Sequence, residues 1–419
     1  MRPANRQQLE AAGEALERIL KFDRPADAVL HQFFGDRRAL GSHDRAFVAE
    51  TVFGVLRHQR LLDRLAPSAG TRLTVLAYLV RFGGASVREL SPVLRGEEAA
   101  ALARIKSVTL DDLPLGVHAE LPDWVIERLQ ERLSDSEILE LGRALQHPAP
   151  LDLRVNPLRK ARDDLLREFA ASGIAAQPTP YSPLGVRLRE KPAINRHPRF
   201  LDGSIEVQDE GSQILAYLVA PRRGELVVDF CAGAGGKALM LGALMHSQGR
   251  VYAFDVAARR LARLGPRLKR SGLSNLHPAL IASENDTRVK RLAGRIDRVL
   301  VDAPCSGLGT LRRNPDLKWR QSPAAVVELT RKQASILDAA AKLVKPGGRL
   351  VYATCSLLVE ENEAIVQAFL ADRGDFRLLD CAALLREQRI PLDTGEHLAL
   401  LTHRHRTDSF FAAAMARAA

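Results

Sequence analysis

Cysteine is scarce in this chain. There are four in 419 residues, Cys231, Cys305, Cys355 and Cys381, and no two form a Cys-x-x-Cys pair. That spacing argues against a zinc ribbon and, in a reducing compartment, against a disulfide scaffold. It leaves thiols that are either buried apolar groups or reactive ones. No apolar run reaches the roughly 18 residues of a membrane span. The opening Met1-Arg2-Pro3-Ala4-Asn5-Arg6 leads into a charged helical pattern without a signal peptide's apolar stretch, so the expected location is the cytoplasm. Aromatic residues make up only 5% of the chain, too few for broad stacking along a single nucleic-acid strand. Internal repeats and low-complexity tracts are absent.

Positive charge, by contrast, is in excess. Lys and Arg number 61 against 50 Asp and Glu, a formal charge of +11. Such a balance favours a polyanionic partner, nucleic acid or a membrane surface. An apolar fraction of 46% is enough for a sizeable core, and the length suits two or three domains.

Residues 5–110 read as helix after helix. Leu9, Ala12, Leu16, Ile19 and Leu20 recur at helical spacing, and a second helix runs from Asp44 through Leu56 with Ser42 as its expected N-cap. Around Leu151–Val155 the pattern turns to alternation, stopped by Asn156-Pro157, with a helix near 161–172 and a short strand at Gly185–Leu188. From Gly224 onward short apolar strands alternate with helices, the signature of a mainly parallel, doubly wound α/β sheet. Strands are expected at Leu226–Phe230, Arg250–Phe254, Ala279–Ala282, Arg298–Val301 and Arg349–Ala353, with a last one near Asp408–Ala414. Helices are expected at Lys237–Met245, Ala257–Ser271, Pro323–Val344 and Glu360–Leu370, the third stopped by Lys345-Pro346-Gly347-Gly348. The expected domains are 1–115 (all helical), 121–205 (small α+β) and 206–419 (Rossmann-like α/β).

Ligands of such a sheet lie beyond the carboxyl ends of its strands. The segment Cys231-Ala232-Gly233-Ala234-Gly235-Gly236-Lys237 follows the first strand, and its small residues let backbone approach a ligand at a helix N-terminus. A plain strand-to-helix turn would look much the same. The glycines do not follow the dinucleotide spacing, and Ala238 stands where a phosphate loop has Ser or Thr. Asp255 ends the next strand, placed to accept ribose hydroxyls or to cap the following helix. Asp286, in Glu284-Asn285-Asp286, is a candidate for an adenine edge and equally a loop residue.

Two more strands end in thiols, at Asp302-Ala303-Pro304-Cys305-Ser306 and Thr354-Cys355-Ser356. One such cysteine alone reads as core. Two on matched strand ends, beside an Asp and a glycine loop, suggest covalent catalysis. A thiolate adding to C6 of cytosine makes C5 enamine-like, able to attack an electrophilic methyl, and a second thiol or a water it orders can assist release. Asp302 suits the pyrimidine's N3 and N4 edge. A helical target base would have to be flipped out. Residue chemistry alone does not say which thiol attacks.

These residues resemble the Nol/Nop/Sun family of RNA cytosine-5 methyltransferases. The likeness rests on Gln208–Gln213, Asp229–Lys237, Asp255, Asp302–Gly307, Arg313-Asn314-Pro315-Asp316 with Lys318-Trp319, Pro346-Gly347-Gly348 and Thr354-Cys355-Ser356. It implies S-adenosylmethionine as cofactor and RNA as substrate, small-subunit rRNA being the first place to look. It further implies Cys355 as nucleophile, Cys305 in product release, Cys231–Lys237, Asp255, Asp286 and Asp302 around the cofactor, and Lys237 facing the base. The N-terminal helices look like a NusB-type RNA-binding domain, through Asp44-Arg45-Ala46-Phe47 and Val52–Arg57, and the middle module like that family's RNA-recognition-like insert. The glycine loop departs from the family's Cys-Ala-Ala-Pro-Gly-Gly-Lys-Thr at Gly233-Ala234 and Ala238.

RNA contacts are expected from Arg259, Arg260, Arg263, Arg267, Lys269 and Arg270, in a stretch without any acidic residue between Val256 and Ser283, although a solvated helix face would read the same, and from Arg312, Arg313, Lys318 and Arg320, with Trp319 stacking on a base or packed in the core. A monomer without metal or membrane partner is expected. Two other readings compete: a nicotinamide-dependent oxidoreductase, and an RNA-binding or assembly factor with an inactive catalytic fold.

Overall fold

The computed structural model describes residues 4–110 and 112–419. The chain divides into two compact units, Met1–Pro148 with Thr310–Pro323, and Ala149–Gly309 with Ala324–Ala419. This partition differs from the edges read in the sequence. The helices Asp123–Leu129 and Asp135–Gln146 fall with the N-terminal helices. Arg60 ties them there through Asp123 (2.7 Å), while the Glu120 carboxylate accepts the Arg60 and Leu61 amides.

The first unit is helical throughout its described residues. Helix Arg6–Ile19 begins with a reciprocal cap, Asn5 and Gln8 each accepting the other's backbone N–H, and Leu9, Ala12, Leu16 and Ile19 are buried as their spacing requires. In helix Ser42–Arg57 the N-cap is Gly41 rather than Ser42, because Asp44 reaches back to the Gly41 amide at 3.3 Å.

The segment Thr310–Pro323 reverses one expectation. Two of its four expected RNA-binding cations, Arg312 and Lys318, are buried. Lys318 is buried, its Nζ donating to the Arg57 and Glu120 carbonyls at 2.9 and 2.7 Å, and Trp319 Nε1 donates to the Leu56 carbonyl at 3.3 Å. Asp316 accepts the Ala26 amide at 3.1 Å and pairs with Arg320. The physical reason lies in helix ends. Leu56 and Arg57 carry carbonyls left over at the end of one helix, and Ala26 carries an amide left over at the start of another. A cation at the first end and a carboxylate at the second also complement the helix dipoles. Arg312 is buried too, with its carbonyl accepting from Arg57. Lys318→Met should therefore destabilise the protein by about 3 kcal/mol, by stranding two buried carbonyls; thermal unfolding of the variant checks this.

The second unit opens with a four-stranded antiparallel sheet of β1 (Leu151–Val155), β2 (Ala176–Pro178), β3 (Gly185–Leu188) and β4 (Ile205–Val207), in the order β2-β3-β1-β4. Helix Arg162–Ala171 buries Leu165 and Phe169 against Leu153, Val155 and Val186.

The main sheet holds β5 (Leu226–Asp229), β6 (Arg250–Asp255), β7 (Leu276–Leu280), β8 (Ile296–Asp302), β9 (Val344–Thr354), β10 (Phe376–Leu379), β11 (Leu398–Leu400) and β12 (Phe410–Arg417). The order is β10-β12-β9-β8-β5-β6-β7, with β11 also on β12; β5 to β9 pair in parallel, and β12 runs antiparallel to β9, β10 and β11. Strands buried on both faces read as apolar runs. Val227, Leu300 and Val351 pack into one apolar layer, and their neighbours Val228, Val299 and Leu350 into the other. Three boundaries move from their expected places. β7 begins at Leu276, admitting Pro278 because an edge strand need not donate at every position. The expected helix Ala257–Ser271 breaks at Arg263, since Pro266 carries no N–H to donate back to Ala262. Helix Pro323–Ala341 stops earlier than expected, and Lys345–Gly348 lies inside β9, where Gly347 at φ +72° and a register shift against β8 absorb the proline.

Candidate active site

The chain winds from β5 outward through β6 and β7, then returns to lay β8 on the other side of β5. That reversal opens a crevice at the carboxyl ends of β5 and β8, the usual ligand position in an open α/β sheet. Asp229 ends β5, Asp255 ends β6, Asp302 ends β8, and Cys355 follows β9 directly. Period-two alternation sends Asp302 to the same face as Leu300, and Cys355 to that of Ala353. Helix Gly236–Leu244 covers this face and brings Lys237.

The loop Cys231–Lys237 is a tight strand-to-helix turn held from several sides. Gly233 (φ +55°) and Gly235 (φ +80°) adopt left-handed backbone, and a side chain on Gly235 would run into Leu264. Ala232 donates to the Phe254 carbonyl and accepts from the Gly235 amide, both at 2.8 Å. Arg267 donates to the Ala234 carbonyl (2.6 Å) and Arg154 to that of Gly236 (2.7 Å). Arg267 and Arg270 both pair with the buried Glu206. Two of the six expected RNA-binding cations are thus committed to the fold, while Arg259, Arg260, Arg263 and Lys269 stay exposed.

The Asp255 carboxylate bridges this loop to the next helix, accepting the Gly233 amide at 2.7 Å and the Ala257 amide at 2.6 Å. Its ribose and capping roles are compatible, because an ionised carboxylate offers about four acceptor sites. Asp286 is half-buried and closes the loop after β7, accepting the Ala282 and Arg288 amides at 2.9 and 2.8 Å. Those bonds hold its carboxyl below the usual range.

Lys237 Nζ donates to Asp302 at 2.7 Å and lies 5.5 Å from the centre of the Phe410 ring. Burial alone would favour the neutral amine. The charge and hydrogen bond of Asp302 outweigh it, with Asp229 and Cys355 adding to them, and raise the Lys237 ammonium above its ordinary range. Cys305 and Cys355 bring their sulfurs to 3.4 Å. The hydrogen bond to Cys355, burial, and the nearby Cys355 and Glu361 charges push the Cys305 thiol well up. Cys231 points toward the opposite apolar layer; burial and the surrounding carboxylates push its thiol up, so it joins the site by backbone. Cys381 is a core thiol, pushed up to about 11 by burial.

Two residues of this region were not singled out from sequence. Asp229 is 1% exposed, and neither carboxylate oxygen has a hydrogen-bond partner. Burial and the Asp302 and Asp255 charges push it up to about 7; Lys237 opposes this, as does the Cys231 backbone, which stays outside hydrogen-bond geometry. A buried, unpaired carboxylate at the switch point fits a cationic ligand. Its signal was the acidic end of an apolar strand just before a glycine loop. Glu361, fully buried, links the two cysteine loops. Among the described residues no cluster of His, Cys, Asp or Glu could hold a metal, and no helix is long and apolar enough to cross a membrane.

Comparison with known proteins agrees with this geometry. The family profile described as 16S rRNA methyltransferase RsmB/F matches residues 216–416. Over 91% of this chain and 94% of its own, a probable ribosomal RNA small subunit methyltransferase B from Synechocystis is 34% identical. The chain belongs to the ribosomal RNA small subunit methyltransferase B family. Its Salmonella newport member is 32% identical over 88% of this chain and 90% of its own. The RsmF/B-like ferredoxin-like domain matches 121–195. The crystal structure of PH0851 superposes with a TM-score of 0.80 at 26% identity, covering 98% of this chain and 99% of that one. As a member of this methyltransferase family the protein uses S-adenosylmethionine, and the oxidoreductase reading falls away. The cofactor's cationic sulfonium and ammonium suit a crevice holding Asp229, Asp255 and Asp302.

Proposed function

We propose that the protein methylates C5 of a cytosine in small-subunit ribosomal RNA through a covalent adduct on Cys355. The carrying observation is the pair of sulfurs 3.4 Å apart beside the Lys237–Asp302 pair, in the crevice of a methyltransferase sheet. Bound S-adenosylmethionine supplies an electrophilic methyl group. Gly233–Gly236, Asp229 and Asp255 hold it, with Asp286 shaping the loop toward its adenine. Asp302 holds the N3 and N4 edge of the cytosine, and the Lys237 ammonium stabilises negative charge on the Cys355 sulfur. The Cys355 thiolate adds to C6, the C5=C6 π pair forms the bond from C5 to the methyl group, and the pair of the broken S–CH3 bond stays on the cofactor's sulfur, which leaves as the neutral thioether. The C5 proton then leaves to water, and its bonding pair restores C5=C6. The C6–S pair returns to Cys355, whose thiolate is received by the Cys305 S–H. The contact with Cys355, burial and the Glu361 charge push Cys305 toward its protonated form, which suits release rather than attack.

RNA is drawn by phosphate contacts to exposed Arg259, Arg260, Arg263 and Lys269. The N-terminal helices serve as a NusB-like RNA-binding domain, and the small sheet as an accessory RNA module. Incubation with methyl-tritiated S-adenosylmethionine and unmodified small-subunit rRNA should label the RNA, and digestion should return the label as 5-methylcytidine. Label in ribose or in a purine overturns the reading. RNA binding without any transfer supports an assembly factor instead.

A further inference from the structure

Each thiol is flanked by residues tied to one short turn, Val359–Glu361 and the adjoining Asn362. Glu361 is wholly buried and, for a carboxylate, heavily engaged. It accepts the Ser306 amide at 2.8 Å, the Ser306 hydroxyl at 2.6 Å, the Gln333 amide at 3.0 Å and the Ser356 hydroxyl. Ser306 follows Cys305 in the chain, Ser356 follows Cys355, and their hydroxyls lie 3.1 Å apart. The preceding residues are held as well. Gln333 also donates to the Pro304 carbonyl at 2.9 Å, and Thr354 donates to the Asn362 side chain, which in turn donates to the Ser356 carbonyl at 3.2 Å. The turn is itself anchored, because the Tyr352 hydroxyl donates to the Glu361 carbonyl at 2.6 Å.

We propose that Glu361 is the positioning residue that registers the two cysteine loops, setting the distance at which one thiol can serve the other. The inference rests on the two-thiol reading above. Four donors converge on one carboxylate, filling its acceptor sites. The serine hydroxyls can rotate to accept as well as donate, whereas the Ser306 and Gln333 N–H groups cannot. A glutamine, with its oxygen toward the N–H groups and its NH2 toward the hydroxyls, preserves the bridge; an alanine removes it.

Two readouts test this. In the first, diamide takes two electrons and two protons from Cys305 and Cys355, forming a disulfide whose rate reports thiol proximity without any RNA. Glu361→Ala should slow it about tenfold and Glu361→Gln should stay near wild type. Should Glu361→Ala fail to fold, Ser356→Ala cuts only the Cys355 side and should slow it about threefold. In the second, Glu361→Ala should lower kcat for methyl transfer about 100-fold with KM for RNA and S-adenosylmethionine within about twofold. A folded Glu361→Ala or Ser356→Ala protein that oxidises at the wild-type rate overturns the proposal, and so does a parallel loss of cofactor affinity and kcat. If the wild-type protein transfers no methyl to cytosine, the proposed function fails, and the disulfide rates alone decide the role of Glu361.

Discussion

Cys355→Ala should abolish covalent capture of RNA carrying 5-fluorocytosine at the target, and with it methyl transfer, by at least about 10⁴-fold. Without addition at C6 the C5 position is a poor nucleophile. Cys305→Ala should have the opposite signature on natural RNA. The adduct forms, but the departing Cys355 thiolate loses the S–H that receives it, so a protein–RNA complex stable in denaturing gels accumulates. The geometry separates the two thiols despite their contact. Cys355 shares a face with the Lys237 ammonium, whereas Cys305 is held protonated by burial and by the charges of Cys355 and Glu361. A Cys305→Ala protein that neither traps RNA nor turns over would reverse the assignment.

The second large effect is expected at Asp229. Asp229→Asn should weaken S-adenosylmethionine binding about 100-fold, since in the proposed site this buried carboxylate, without a hydrogen-bond partner of its own, offsets the cofactor's positive charge. The pH dependence follows from its raised pKa. In the ligand-free protein the group titrates near 7. A cation binds the ionised form, so wild-type affinity should be level above pH 7 and fall by up to about tenfold per unit below it, while the Asn variant should be flat. Stability moves the other way. An aspartate near 7 in the fold and near 3.9 when unfolded makes the folded state the better proton binder between those values. Ligand-free wild type should therefore lose stability as pH rises from about 4 to 7, and Asp229→Asn should unfold a few degrees higher at pH 8. Calorimetric titration across pH 5.5–8.5, together with thermal scans, measures both; a variant that binds cofactor normally removes Asp229 from the site.

Legibility of the site in sequence tracked the range of the interactions concerned. Asp302 and Cys355 were readable because each closes an apolar run, and period-two alternation then fixes its face. The glycine loop was readable because left-handed backbone selects glycine at Gly233 and Gly235. Lys318 was misread as part of an RNA-facing cluster, since the carbonyls it satisfies, those of Arg57 and Glu120, lie 261 and 198 positions away, whereas Trp319 took the packed alternative and donates to the Leu56 carbonyl. Arg267 and Arg270 looked like a solvated basic stripe until Glu206, more than 60 residues upstream, claimed both. Glu361 drew no notice for the same reason, because Ser306 is 55 positions distant.

The two cysteines, the acidic strand ends and the alternation of strand with helix are local properties of the chain. Local patterning was enough to specify a doubly wound α/β sheet with both thiols at its ligand-binding edge. Tertiary structure alone decided which charges remain for a ligand and which are spent on the fold. It placed the sulfurs 3.4 Å apart, left Asp229 buried without a partner, and gathered Ser306 and Ser356 onto one carboxylate. The physical reason is desolvation. Inside a protein each polar group must find a partner or carry a cost, and most partners are supplied by segments remote in sequence.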